Sequence, residues 1–321
     1  MGYIDVHHHF LTERRVAWKE SGEIAPGLRL PPWTEDLDIA FLDRHNIDIA
    51  LLSLSAPGVS LCSTSEQAAA LAREMNEQAA TFRDRHPTRF GFLATLPLNN
   101  SLAAGIEEAR YVLDNLKADG VTLFTSYEGR YLGHPDFVPL WEELDRRGAV
   151  VFVHPTAPAG DLRLPRAPTD NQAMVPRPII DFPHETTRAA VHLITSNVVR
   201  DYPSCKIILS HGGGTLPYVA TRIANLAAAA GLINKTPEEF LADAKRFYFD
   251  LALTGFKDPL GLLVNFATEG HILWGSDYPF ARDKTVETQV KELESAGLAS
   301  ETRDSIARGA ALKLFPRLGS R

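Results

Sequence analysis

The feature that most constrains this chain is an alternation of two periodicities. Eight short runs rich in β-branched or aromatic residues recur along it: Tyr3–His7, Ile49–Ser55, Phe90–Leu96, Gly120–Phe124, Ala149–His154, Lys206–Ser210, Phe247–Leu251 and Ile272–Gly275. Longer stretches with helical spacing lie between them. Ser65–His86, Leu102–Lys117, Pro135–Arg147, Thr186–Tyr202, Pro217–Ala230 and Pro237–Lys245 read as helices, and Thr285–Leu314 as more than one. Strands alternating with helices predict parallel βαβ units, and eight units in 321 residues predict an α/β fold of the closed (β/α)8 barrel type rather than an open doubly wound sheet. No G-x-G-x-x-G follows the first run, which speaks against a dinucleotide-binding sheet. No linker interrupts the pattern, so residues 1–321 are expected to form one domain.

Composition enters where it excludes function classes. With 45% hydrophobic and 23% charged residues the chain can build a large core, and global disorder is not expected. The net charge of −7 comes without a basic stripe, which argues against nucleic acid or an anionic membrane as partner. Cys62 and Cys205 form no C-x-x-C pair and read as reduced thiols. No leader pattern or membrane-length apolar stretch is seen, so a cytoplasmic location is expected. Two segments break the alternation, Leu11–Pro32 and Ala157–Pro183. Both follow strands, so they are expected to cover the catalytic face.

The polar residues at the strand ends carry the chemistry. His7 and His9 close the first strand, and residues two apart share a face, so both imidazoles can enter the barrel mouth while His8 points away. His154 ends the fifth strand, His211 the sixth, and Asp277 follows the eighth. Barrel enzymes place functional groups at these ends. Three neutral imidazoles and one carboxylate from this group suit a divalent ion, Zn2+ first, with Mn2+ or Fe2+ as alternatives.

The segments IDVHHHF, VFVHP, SHGGG and GSDYP, together with LPPWT, ADGVTLFT, YLGHPDF, DFPHETTRAA and FYFDLAL, resemble the amidohydrolase-related metal-dependent decarboxylases over nearly the whole chain. That group includes the aminocarboxymuconate-semialdehyde, γ-resorcylate and 5-carboxyvanillate decarboxylases. Within it the longer segments are most similar to the 6-methylsalicylate decarboxylases of polyketide pathways. The fourth strand, GVTLFT, lacks the lysine that bridges two metals in binuclear members, so the resemblance implies a single ion. It also implies that His7, His9, His154 and Asp277 are ligands and that His211 is catalytic. Arg222 matches an arginine that reaches a neighbouring subunit's substrate, which implies a homodimer. The second substrate arginine of the semialdehyde decarboxylase has no counterpart in PPWTEDLDIAF.

The expected reaction is non-oxidative loss of CO2 from a small aromatic ortho-hydroxy acid, 6-methylsalicylate giving 3-methylphenol. Asp277, or a water at the centre, supplies the ring proton. Asp277 is therefore expected to be catalytic as well as a ligand. Trp33, Phe10, Phe182 and Tyr278, aromatic residues near the active-face motifs, are expected to wall the substrate pocket, and Phe182 and His184 to border the substrate from the loop after the fifth strand. The competing reading is a mononuclear hydrolase, a lactonase or amidase, on the same barrel.

Overall fold

The computed structural model describes residues 2–12, 30–60, 62–99, 101–157, 165–167 and 170–320. All eight expected strands form there: β1 (Tyr3–Phe10), β2 (Ile47–Leu54), β3 (Phe90–Thr95), β4 (Gly120–Phe124), β5 (Val150–His154), β6 (Lys206–Leu209), β7 (Tyr248–Asp250) and β8 (Ile272–Leu273). They pair in parallel, each with its neighbour in sequence, as one eight-stranded sheet. Its two edges meet. Val6 N–H donates to the Trp274 carbonyl at 3.0 Å, Asp277 N–H to His7 at 2.9 Å and His9 N–H to Tyr278 at 2.7 Å. The result is the predicted barrel.

Two apolar clusters give the wall its two faces. Ile4, Val6, Ile49, Leu51, Leu93, Phe152, Ile208 and Leu273 touch one another although they come from strands around the whole circumference, so they fill the interior. Ala310, Ala311, Phe315 and Leu318 join that cluster. They close the end where the strands begin, since Arg317 hydrogen-bonds Asp119, just ahead of β4. The outward-facing Leu52, Phe92, Val121, Leu123, Val151 and Val153 pack with the surrounding helices.

A bulge in β1 turns this frame into a site. Asp5 pairs with Ala50, but the next paired residue, His8, lies opposite Leu52, so three steps on β1 match two on β2. The extra residue reverses the alternation. Ile4 and Val6 face inward before it, whereas after it His9 pairs with Ser53 and His7 packs on the inner Phe152 at 4.9 Å. Without the bulge, strict alternation from Ile4 and Val6 would put both histidines outside the wall.

Most helices start where the sequence places them. Thr64 caps Ser65–Arg85, Ser101 caps Leu102–Asp114, and Thr236 with Glu239 makes a capping box for Pro237–Ala244. Leu216–Ala229 is helical as expected, and Pro135–Phe137 is a 3-10 turn leading into Val138–Arg146. The C-terminal region divides, as expected, into Asp283–Ser295, Ser300–Asp304, the π-turn Ser305–Gly309 and Ala310–Leu314.

Two ten-residue helices, Glu35–Arg44 and Lys257–Phe266, were not foreseen. The first buries Asp38, Phe41 and Leu42, a stripe too narrow to stand out in EDLDIAFLDR. A third difference matters for the site. The helix after β5 starts at Arg177, not Thr186, and runs through Pro183 to Thr195. The irregular segment expected from the sequence ends at Pro183, which the structure places inside this helix. Here the carbonyl it leaves free belongs to Ile179 in the first turn, a residue 67% exposed, where water can serve it. Of the two irregular segments, residues 13–29, 158–164, 168 and 169 lie outside the described residues. In the second, Pro165–Ala167 pairs antiparallel with Asp170–Met174, and Arg177 begins the helix. Among the described residues no helix is long and apolar enough to cross a membrane.

Candidate metal centre

The structure brings His7, His9, His154, His211 and Asp277 together at the C-terminal mouth of the barrel, all buried. His7 Nε2 lies 3.1 Å from His9 Nε2, and Asp277 Oδ1 lies 3.4 and 3.3 Å from those two nitrogens. The His154 ring centroid stands 5.3 Å from that of His7 and 5.0 Å from that of His9, and the His211 centroid is 4.7 Å from that of His7. His7 belongs to two sets with metal-ligand spacing, one with His9 and Asp277, the other with His154 and His211.

Every imidazole presents Nε2 because its Nδ1 is engaged elsewhere. His7 Nδ1 bonds Asp250 Oδ2 at 3.0 Å, His154 Nδ1 the Pro155 carbonyl at 2.8 Å and His211 Nδ1 the Ala252 carbonyl at 3.0 Å. His9 Nδ1 bonds Ser53 Oγ at 2.9 Å, and that hydroxyl donates its own hydrogen to the His8 carbonyl. With carboxylate, carbonyl or committed hydroxyl oxygens as partners, each Nδ1 is the donor, and four Nε2 lone pairs converge.

That convergence is the fit test for a metal. Lone pairs and a carboxylate packed at 3.1–3.4 Å repel unless a cation lies among them. Ligands at about 2.0–2.1 Å from a tetrahedral zinc would stand roughly 3.3 Å apart, which matches.

The protonation states agree with the geometry. Burial pushes His154 well below its ordinary range, and His9, His7 and His211 push the same way. Burial and His7 lower His211. Burial also lowers His9, against the pull of the neighbouring Asp277. His7 is the exception. Burial disfavours its charge, but Asp250 and Asp277 outweigh that and raise it to about 10. The same negative field that draws a proton to this ring strengthens it as a ligand to a cation. Burial works to raise the Asp277 carboxyl, but the His7 and His9 imidazoles beside it hold it well below the usual carboxylate range.

Two of these residues adopt left-handed backbone, His211 at φ 53° and Asp277 at φ 62°, and the strain is held by specific bonds. Asp250 Oδ1 takes the His211 N–H at 3.1 Å, and the His7 carbonyl takes that of Asp277. Two glycines permit the close packing. A Cβ on Gly275 would come within 2.8 Å of His7 Cβ, and one on Gly214 would meet the Pro183 carbonyl.

The remaining expected site residues scatter. Phe182 stands edge-on to His154, ring centroids 6.1 Å apart. His184 is exposed and outside the cluster. Both lie within the helix Arg177–Thr195 rather than in a loop, and residues two apart on a helix do not share a face. Trp33 is buried in the core, against Phe10 and Phe82, with its N–H donated to Asp38 at 2.8 Å. Arg222 is exposed on Leu216–Ala229 and pairs with no carboxylate among the described residues.

Sequence reasoning missed the partners behind the site: Ser53, Asp250, and the chain Asp5–His8–Asp38, in which both His8 nitrogens bond carboxylates at 2.9 Å. It also missed the aromatic neighbours Phe152 at 4.9 Å from His7, Phe124 at 6.2 Å from His154 and Phe280 at 5.6 Å from His9. Asp250 carried the same signal as the residues that were found, a carboxylate at a C-terminal strand end.

Comparison with known proteins gives concordant results. A model of the amidohydrolase family matches residues 4–317. The decarboxylase yanB of Aspergillus niger is 50% identical over 99% of this chain and 88% of its own. The 6-methylsalicylic acid decarboxylase of Penicillium expansum is 44% identical over 99% and 97%. The crystal structure of a dihydroxybenzoic acid decarboxylase from Polaromonas with bound manganese and 2-nitroresorcinol superposes with a TM-score of 0.79, at 23% identity, over 98% of this chain and 97% of that one.

Proposed function

The chain belongs to the amidohydrolase family, and on that premise we propose that it is a metal-dependent decarboxylase of an ortho-hydroxybenzoate, converting 6-methylsalicylate to 3-methylphenol and CO2. The observation that carries the metal is the set of Nε2 lone pairs converging with Asp277. Of the converging residues, His7, His9, His154 and Asp277 are assigned as ligands from the resemblance of their motifs to the family's, and zinc suits three imidazoles and a carboxylate best. The reaction class rests on four relatives, 43–50% identical, each named a decarboxylase, which favours this reading over the hydrolase.

Once bound, the ion would supply the positive charge that gathers the substrate's carboxylate and ortho oxygen. The chain's own groups manage the proton. His211, its Nδ1 hydrogen committed to Ala252, offers only an acceptor at Nε2 and takes the proton as the hydroxyl O–H bond breaks. Asp277, held as a carboxylate, receives that proton and delivers it to the ring carbon bearing the carboxyl group. The carbon–carbon bond then breaks, its electron pair restores the ring, and CO2 leaves. Solvent reprotonates the phenolate product. Phe124, Phe182 and Phe280, which flank the ligating histidines, form the wall for an apolar ring.

A homodimer completes the reading. Arg222 is exposed with Tyr218 (79%) one turn before it and Leu226 (54%) one turn after, an apolar stripe with a central cation suited to a second copy. The test of the reaction is product analysis. Purified enzyme with zinc should release CO2 and 3-methylphenol from 6-methylsalicylate, and a His211→Asn variant should not. Hydrolysis of lactones or amides with no CO2 from any 2-hydroxybenzoate would reverse the choice.

A further inference from the structure

We propose that Asp250 is a positioning residue: it selects the metal-ligating tautomer of His7 and seats His211 with the same carboxylate. The proposal rests on the metal-centre reading above. Asp250 ends β7 and is fully buried. Its two oxygens have separate tasks. Oδ2 faces His7 Nδ1 at 3.0 Å, while Oδ1 accepts the backbone N–H of His211 at 3.1 Å and of Ala252 at 2.8 Å.

A carboxylate can only accept, so the Nδ1 that faces it carries the hydrogen and Nε2 keeps its lone pair for the ion. The Oδ1 bonds act on the other ring. They hold His211 in its left-handed conformation and fix Ala252, whose carbonyl at 3.0 Å takes the His211 Nδ1 hydrogen. One side chain on β7 therefore orients a ligand from β1 directly and a catalytic group from the end of β6 through backbone.

The amide variant is informative because the site dictates its orientation. In Asp250→Asn the oxygen must stay on the two backbone N–H groups, since an NH2 there would face two donors. The NH2 then points at His7 Nδ1, donates to it and drives the ring hydrogen to Nε2, where it blocks the ion. If Asp250 served only to hold the backbone, Asn would preserve both bonds and leave metal binding unchanged.

The experiment titrates metal-free wild type and D250N with zinc against a competing chelator, with circular dichroism to verify folding. D250N should fold and bind zinc about 10–100-fold more weakly, the range seen when outer partners of ligating histidines are removed. Equal affinity in the two proteins would overturn the proposal. Nitrogen-15 spectra of zinc-loaded wild type provide a test that needs no variant. His7 should show a hydrogen on Nδ1 and the metal on Nε2, and the reverse arrangement would overturn the proposal even if D250N did not fold. Wild type that binds no zinc would instead remove the metal-centre reading beneath it.

Discussion

At the residue scale, Ser53, Pro155, Asp250 and Ala252 each take the Nδ1 hydrogen of one histidine and so decide what its other nitrogen can do. The pattern of partners, more than the histidines themselves, separates a ligand set from a group of buried imidazoles. A second cluster, around the buried Glu143, serves stability. Glu143 accepts from Arg110 at 3.0 Å and from Arg146 and Arg147 at 2.6 Å. Burial works to raise its carboxyl, but the three guanidiniums lower it from 4.5 to about 2. A depressed folded value means the contribution is present above pH 4.5 and is lost as pH falls through about 2. Arg110 and Arg146 are 58% and 63% exposed and therefore screened, so the contribution is about 1–3 kcal/mol at pH 7. Denaturant unfolding of Glu143→Gln should show that loss at pH 7 and a smaller one at pH 3. A gap that does not narrow would contradict the assignment.

At the scale of elements, the barrel and its five central residues were legible because each strand carries its own apolar run and each functional group stands at a strand's C-terminal end. What was not legible depends on contacts distant in sequence. The β1 bulge exists only in register with β2, and nothing in DVHHH marks the extra residue. Trp33, read as a substrate wall, is captured by Asp38 on a helix that the sequence hid. Phe182 and His184 look equivalent in DFPHET until Pro183 proves to lie inside a helix, which separates their faces. The helix Leu216–Ala229 holds the element-scale prediction. If its exposed stripe is a dimer face, the double variant Tyr218→Ala, Arg222→Glu should sediment as a monomer where wild type sediments as a dimer. Wild type that sediments as a monomer would remove the interface.

At the scale of the whole molecule, the fold is a division of labour. The C-terminal residues close the barrel where the strands begin, the interior is filled with apolar side chains, and the polar residues gather at the opposite mouth. Backbone bonds between β1 and the segment after β8 bring Asp277 to His7 and His9, so closing the barrel also assembles the centre. The most direct test of this account is to strip the protein of metal and add zinc stepwise while following CO2 release from 6-methylsalicylate. Activity should be absent in the stripped protein and rise linearly to a plateau at about one ion per chain, as one set of converging ligands requires. Full turnover without metal, or a plateau reached only at two ions per chain, would contradict it.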